Sequence, residues 1–420
     1  MDTGVDTTQP RGLRYALPRE DGPVKILMVH NFYRQHGGES AVFEAERRLL
    51  QGAGHSVVTY TRESREIDDY GLWKRFTLAP RTIWARDSQR ELRALISRET
   101  PDVAHFTNTF PLISPSVYYT CRDTAVPVVQ SIHNYRLLCP AATLWRDGAI
   151  CEECMDHSLL RSVRHACYRK SRPTTAVLAT MLAFHRWRNT FSNLVDRYVA
   201  LTEFARDKLV SGGFPADRIV VKPNFVESDP GSRDGPGSFA LFAGRLTPEK
   251  GVGTLLDAWK RLGPDHALRV AGDGPLRETL ERRVKSEAIS NVSFLGALPQ
   301  PELMRTLHDA RVLVFPSQWY EGMPMSILEA SASGVPTIAS NLGGMREMID
   351  PGKTGLLFPP TDSTELAREI EWIFSHPPEA IELGRAARSQ YQARYTAAAN
   401  RELLIDIYRQ AIEHRHTDGS

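Results

Sequence analysis

Apolar residues fall along this chain in short blocks, and the spacing within and between the blocks predicts the fold. VKILMVH (24–30) is a continuous apolar run of strand length, as a strand buried on both faces of a parallel sheet requires. NFYRQHGGES follows it, and residues 41–50 then carry Phe43, Leu49 and Leu50 in a helical pattern. Strand, glycine loop and helix open a doubly wound α/β unit. Similar runs recur at HSVVTY (55–60), DVAHFTN (102–108), PVVQSIH (127–133), RYVALT (197–202) and RIVVKPN (218–224), with helical stretches between. Such alternation predicts a parallel sheet with helices on both faces.

A second series starts at FALFAG (239–244) and continues through LRVAGDGPLRETL (268–280), NVSFLGALP (291–299), RVLVF (311–315), VPTIAS (335–340) and GLLF (355–358). Between the two series lies VESDPGSRDGPGS (226–238), whose Gly, Pro, Ser and charge read as an interdomain linker. Helical patterns from 377 to 414 close the chain. The 420 residues suffice for two domains of ordinary size, and 41% hydrophobic with 24% charged residues is a globular composition. A net charge of +2, from 52 basic and 50 acidic residues, gives no global affinity for nucleic acid.

The first 22 residues lack the apolar core of a signal peptide and are expected to form a disordered tail. The longest apolar run, 174–184, has about half the roughly 20 residues that a membrane span needs. A cytoplasmic protein with reduced thiols is therefore expected.

Candidate chemistry centres on PSQWYEGMPMSILEASAS (316–333), which sets Glu321 and Glu329 eight residues apart across a loop-to-helix junction. Gly322 and Pro324 break the chain, and the composition from Met325 onward is helical. At such a junction Glu321 can face a hexose, while the backbone N–H groups of Gly322 and Met323 point toward a phosphate. Glu329, a turn and a half later, can accept hydrogen bonds from a ribose diol. Two glutamates alone would more often be a solvated helix face. Upstream, Arg245 and Lys250 bracket the turn of GRLTPEKG (244–251) before a helix. Two cations there can neutralise a diphosphate, although such a pair alone is commonly surface charge. Gly37-Gly38 falls short of GxGxxG; it permits close backbone approach to a phosphate or sugar, or makes a plain tight turn. His133 stands at the carboxyl end of its strand, where open α/β sheets place ligands.

Together these segments resemble glycosyltransferase family 4, the retaining, nucleotide-sugar-dependent enzymes of GT-B fold. The donor signature of that family is matched by EGMPMSILEA (321–330), GVPTIAS (334–340) and Gly343-Gly344, and Glu347 also fits its pattern. GRLTPEKG and IHNYR (132–136) match further family motifs. The resemblance covers about residues 24–410 and is closest after Phe239. It implies two Rossmann-like domains facing across a cleft: an acceptor-side domain (23–225), a donor-binding domain (239–395) and a last helix (396–420) crossing back to the first.

The implied reaction is transfer of a hexose from a nucleoside-diphosphate sugar to a hydroxyl acceptor, with retention at the anomeric carbon. The implied roles are Arg245 and Lys250 on the diphosphate, Glu321 on the hexose hydroxyls, Glu329 on the ribose and His133 near the reacting sugar. Gly37, Gly38, Gly244, Gly322, Met323 and Pro324 would complete the donor site, residues 291–299 would lie near the base, and catalysis would need no metal. A non-catalytic nucleotide-sugar-binding or regulatory protein, or a GT-B nucleotide-sugar epimerase, would use the same residues.

Residues 134–173 are additional to the minimal family pattern. Cys139, Cys151, Cys154 and Cys167, four of the five cysteines, fall within 29 residues there. A structural zinc site would satisfy four thiolates and staple a segment poor in apolar residues, with His157 and His165 as substitute ligands. Disulfides would need an oxidising compartment. A redox Cys-x-x-Cys pair is disfavoured by Glu152 and Glu153 inside it. Cys121 reads as a core thiol.

From 157 to 195 there is no Asp or Glu, whereas Arg161, Arg164, Arg169, Lys170, Arg172, Arg186 and Arg188 are basic. With the apolar run 174–184 and Trp187, this predicts either a peripheral face for an anionic membrane or a solvated basic helix beside a buried one. Aromatics are too few for RNA stacking. A membrane-facing first domain would suit a lipid-linked or polysaccharide acceptor at the inner face of the membrane.

Overall fold

In a computed structural model, which describes residues 22–34, 37–233 and 235–418 apart from the side chains of 72–76 and 416–418, the apolar runs become the strands of two sheets. The expected N-terminal tail lies outside the described residues, except for Gly22. The first sheet contains β1 (Lys25–Phe32), β2 (Ser56–Glu63), β3 (Val103–Asn108), β4 (Val128–Ile132), β7 (Arg197–Ala200) and β8 (Ile219–Val221). β5 (Trp145–Arg146) and β6 (Ala149–Ile150) form a separate antiparallel hairpin. The second sheet contains β9 (Phe239–Ala243), β10 (Leu268–Ala271), β11 (Val292–Gly296), β12 (Ala310–Phe315), β13 (Thr337–Ser340) and β14 (Gly355–Phe358). Both sheets are parallel throughout.

Strand orders are β2-β1-β3-β4-β7-β8 and β11-β10-β9-β12-β13-β14. The order therefore reverses between β1 and β3 in one sheet and between β9 and β12 in the other. Ligand crevices open at such switch points, outside the carboxyl ends of the strands. The glycine pair leaves β1, GRLTPEKG leaves β9, and the glutamate loop leaves β12. Topology alone thus directs three distant motifs to the ends of the sheets.

Each sheet is covered on both faces by apolar side chains, which explains strands without polar alternation. The helix Pro377–Arg394 packs on the second domain through Ala380, Leu383 and Tyr391. The helix Ala397–Asp418 packs instead on the first sheet, with Leu404, Ile407, Tyr408 and Ala411 against Ile26, Met28 and Phe43. Where the chain crosses back, Val226 donates its N–H to the carbonyl of Tyr395 at 3.3 Å. The two interdomain crossings therefore run side by side.

The described residues of segment 226–238, between the two sheets, lie along the second domain. Arg233 is buried and donates to the carbonyls of Ala310 and Arg311, and Asp229 pairs with Arg388 through both carboxylate oxygens. The polar residues that suggested a loop are satisfied by backbone carbonyls and by a partner far along the chain. The apolar run 174–184 does not form an exposed membrane face. It lies within the helix Arg172–Trp187, whose Leu178, Ala179, Met181 and Leu182 are buried in the first domain's core. Trp187 and Leu160, 75% and 72% exposed, are the large apolar side chains left outside in this region. Among the described residues no helix is long and apolar enough to cross a membrane.

Candidate active site

The loops after β9 and β12 are locked to each other. Gly251 has φ +69°, and a Cβ there would lie 1.9 Å from the carbonyl oxygen of Pro316, so no other residue fits. The Gln318 N–H donates to the Glu249 carbonyl at 2.8 Å, and its side-chain amide donates to Thr254 Oγ1 at 2.9 Å. This zipper brings Lys250 Nζ to 2.7 Å from Glu321 Oε1, with side-chain exposures of 13% and 9%. The Ser317 hydroxyl donates to the same oxygen at 2.7 Å. Lys250 also stands over the Phe315 and Trp319 rings, at 5.2 and 5.6 Å from their centroids. Arg245 is exposed at the start of the turn, next to Gly244, and has no ion-pair partner among the described residues.

Beyond Glu321, Pro324 precedes the helix Met325–Ala332. Opposite it begins the helix Gly38–Gly52, with Gly37 as its N-cap. A Cβ on Gly38 would lie 3.8 Å from Met325 Cγ, so the two helix N-termini meet across the cleft. Each contributes unpaired N–H groups and the positive end of its dipole to one gap. Asn224 fastens the joint from below, its N–H 3.2 Å from Met323 Sδ.

His133 approaches from the first domain. A Cβ on Gly322 would come within 3.0 Å of the His133 carbonyl oxygen, so the two domains pass close together at this glycine. Burial pushes the His133 imidazole down to about 4; Glu46 opposes this, while Lys222 and His105 reinforce it. The ring is therefore neutral near pH 7 and can accept a hydrogen bond. Glu329, buried one helix turn in, accepts from Gln300 Nε2 at 2.7 Å. Burial raises its pKa, and the Gln300 bond partly offsets the rise.

The structure thus brings Gly37, Gly38, His133, Lys250, Glu321, Gly322, Met323, Pro324 and Glu329 around one cleft, with Gly244 and Arg245 at its rim. Sequence reasoning missed Ser317, Gln300 and Asn224, which hold these groups in place. It also missed Tyr320, whose ring lies 4.7 Å from Phe204 and 6.4 Å from Tyr135 of the first domain. Glu347 accepts from the backbone N–H groups of Glu203, at 2.8 Å, and of Phe204, capping the helix Glu203–Ser211 across the domain boundary.

All five cysteines are free thiols. Burial pushes the Cys154 thiol up to about 12, and Cys139, Cys167 and Cys151 add to the rise, so the other three thiols of the insertion lie within electrostatic reach of Cys154. A thiol raised this far is a poor nucleophile, against a redox role. Among the described residues no three His, Cys, Asp or Glu side chains already form a metal-holding group.

Comparison with known proteins bears on the same residues. The family described as Glycosyltransferase Family 4 matches residues 36–229, and that described as Glycosyl transferases group 1 matches 227–390. A D-rhamnosyltransferase of Pseudomonas aeruginosa is 34% identical over 161 residues, 38% of this chain and 42% of that protein. An alpha-D-kanosaminyltransferase of Streptomyces kanamyceticus is 27% identical over 297 residues, covering 70% of this chain and 73% of the relative. The chain spans about two-fifths of the length of the first curated relatives it matches. Among solved structures, a sucrose-phosphate synthase from Thermosynechococcus elongatus superposes with TM-score 0.67 at 19% identity, over 92% of this chain and 98% of that one. Anabaena HepE in complex with UDP gives 0.64 at 16% identity, over 91% and 98%. At these identities the structural likeness is one of fold.

Proposed function

The chain belongs to the glycosyltransferases built from the family 4 and group 1 domains and has their GT-B fold, and from that premise we propose that it moves a hexose from a nucleoside-diphosphate sugar to a hydroxyl of a glycan or lipid-linked acceptor, with retention. The observation that carries this reading is the Lys250–Glu321 contact at 2.7 Å in a cleft shared with the glycine pair of the first domain. Its cation and carboxylate suit the two halves of one substrate. When the diphosphate enters between the helix N-termini, Lys250 turns from Glu321 to a phosphate oxygen, and Glu321 Oε1 becomes free to accept hexose hydroxyls. Lys250 and Arg245 then hold positive charge against the leaving diphosphate, where negative charge grows in the transition state.

The acceptor oxygen bonds to the anomeric carbon as the bond from that carbon to the phosphate oxygen breaks. The nucleoside diphosphate leaves with the electron pair on the same face and takes up the acceptor's proton. Neutral His133 accepts a hydrogen bond from a hydroxyl of the donor sugar. Glu329, steadied by Gln300, holds the ribose. Glu329→Gln is expected to weaken UDP or GDP binding about tenfold, the worth of one charged hydrogen bond, with the melting temperature little changed; calorimetric titration checks this.

A screen of nucleotide sugars with product mass identifies the donor. Binding without turnover across the panel would support a sensor instead, and conversion of the donor sugar without any acceptor an epimerase. Cations take the role a divalent metal plays elsewhere in such transfers, so EDTA should leave initial turnover intact. The four thiols of 134–173 would hold a structural zinc if drawn together. About one zinc per chain by elemental analysis, lost in Cys151→Ser, is the expected result; metal-free protein of unchanged stability would refute it. For the basic surface around Trp187 and Leu160, co-sedimentation with anionic vesicles at low salt tests a lipid-linked acceptor.

A further inference from the structure

The cleft wall of the first domain carries a charged cluster that this reaction leaves without a task. Glu39 stands one residue beyond the glycine pair, in the first turn of the helix Gly38–Gly52. Its Oε2 accepts from Asn134 Nδ2 at 3.0 Å, while Oε1 is buried with no partner among the described residues. Burial holds its carboxyl up at about 7, although Asn134 and the charge of Arg136 draw it down.

Arg136 is clamped on several sides. Nη1 donates to the Pro140 carbonyl at 2.8 Å, and its backbone N–H donates to Asn134 Oδ1 at 3.0 Å. The guanidinium carbon lies 4.3 Å from the centroid of Phe110 and 5.3 Å from that of Tyr168. Its Nε is also buried, with no partner among the described residues. The Tyr33 hydroxyl faces the same group, and burial, foremost, pushes its pKa up to about 12. With His133, Asn134 and Arg136 line a cavity that also contains the buried Thr107 hydroxyl, which has no partner among the described residues.

Native structures leave few buried polar atoms unpaired. Here Glu39 Oε1, an acceptor when the carboxyl is ionised, and Arg136 Nε, a donor, both lack partners among the described residues and lie within electrostatic reach of each other beside the cleft. A phosphate or carboxylate could satisfy the donor alone and would face the Glu39 oxygen. A hydroxyl donates and accepts, and so completes both. We propose that Glu39 and Arg136 bind the acceptor at a sugar hydroxyl next to the attacking one, so that the insertion 134–173, through Asn134, Arg136 and Tyr168, builds the wall of an acceptor-sugar subsite. The inference rests on the glycosyltransferase reading above and assigns Glu39 and Arg136 to a second hydroxyl of the acceptor sugar.

The test uses the full chain with Glu39→Ala and, as the shape-preserving variant, Glu39→Gln. Three quantities are measured: UDP and GDP affinity, sugar release to water without acceptor, and transfer to a panel of octyl hexosides. In Glu39→Ala, transfer should fall at least about 50-fold, while nucleotide affinity and sugar release to water stay within about threefold of the parent; Glu39→Gln should recover part of the transfer. Preserved nucleotide affinity also reports an intact fold. Transfer at the parental rate, or release to water falling in step with transfer, would overturn the proposal. So would a parent that releases sugar to water yet transfers to no hexoside. A parent that neither binds nucleotide nor releases sugar would instead defeat the transferase reading itself.

Discussion

Lys250→Ala is expected to lower kcat/KM for donor turnover by about 10³-fold, the scale seen when a preorganised electrostatic group is removed from a reacting centre. Two effects act in the same direction. The leaving diphosphate loses a cation fixed in a site of low exposure, where charge interactions are stronger than in water. In addition, Glu321 keeps only the Ser317 hydroxyl, so a poorly compensated carboxylate now faces an incoming anion. Lys250→Arg should not restore the rate, because a planar fork cannot take the place of a compact ammonium beside Phe315 and Trp319. The assay is donor consumption across donor concentrations from well below to above KM, with UDP affinity measured alongside. A Lys250→Ala enzyme within tenfold of the parent would remove the cation from the mechanism.

Lys222→Ala should produce the largest loss of stability. Lys222 Nζ lies 2.7 Å from Glu46 Oε1, with side-chain exposures of 1% and 2%. Removing one partner of a buried ion pair strands the other and costs about 3–5 kcal/mol, or a fall of roughly 6–20 °C in melting temperature for a domain of this size. Replacing both at once, Lys222→Met with Glu46→Leu, should cost less, since no charge is left unpaired. Burial alone would raise the Glu46 pKa, but Lys222 and His105 outweigh it and hold the carboxyl below its usual value.

A carboxyl with a depressed folded pKa contributes stability above its unfolded value, about 4.3, and loses that contribution as pH falls through the folded value. The gap between parent and variant should therefore narrow in acid, and equal melting temperatures at neutral pH would refute the assignment. Activity should suffer as well. Lys222 leads through Pro223 to Asn224, which meets Met323, and Asn400 donates to the Pro223 carbonyl at 2.8 Å.

The elements could be read from the apolar runs along the chain, and most site positions from the motifs that resemble the family. Uninterrupted apolar runs such as 24–30 and 311–315 have few alternatives to buried parallel strands, and glycines at the carboxyl ends of strands mark where chain and ligand approach closely. Lys250 and Glu321 were expected at one donor site because the segments around them resemble family motifs; the strand order that brings the two loops together came only with the packed sheet. Contacts joining residues far apart along the chain were not foreseeable.

Ser317 and Gln300 carry no local mark of the carboxylates they hold, and Tyr320 looks like any loop aromatic until Phe204 arrives from the other domain. The apolar run 174–184 fitted either a membrane face or a buried helix. Whether a lipid surface or a protein core covers such a face depends on what packs against it, and here Leu178 and Leu182 enter the core of the first domain. Glu39 went unmarked for the same reason, since its character comes from Asn134 and Arg136 about a hundred residues away. Periodicity records which side of an element is apolar; only the packed chain decides what that side, or a buried charge, will meet.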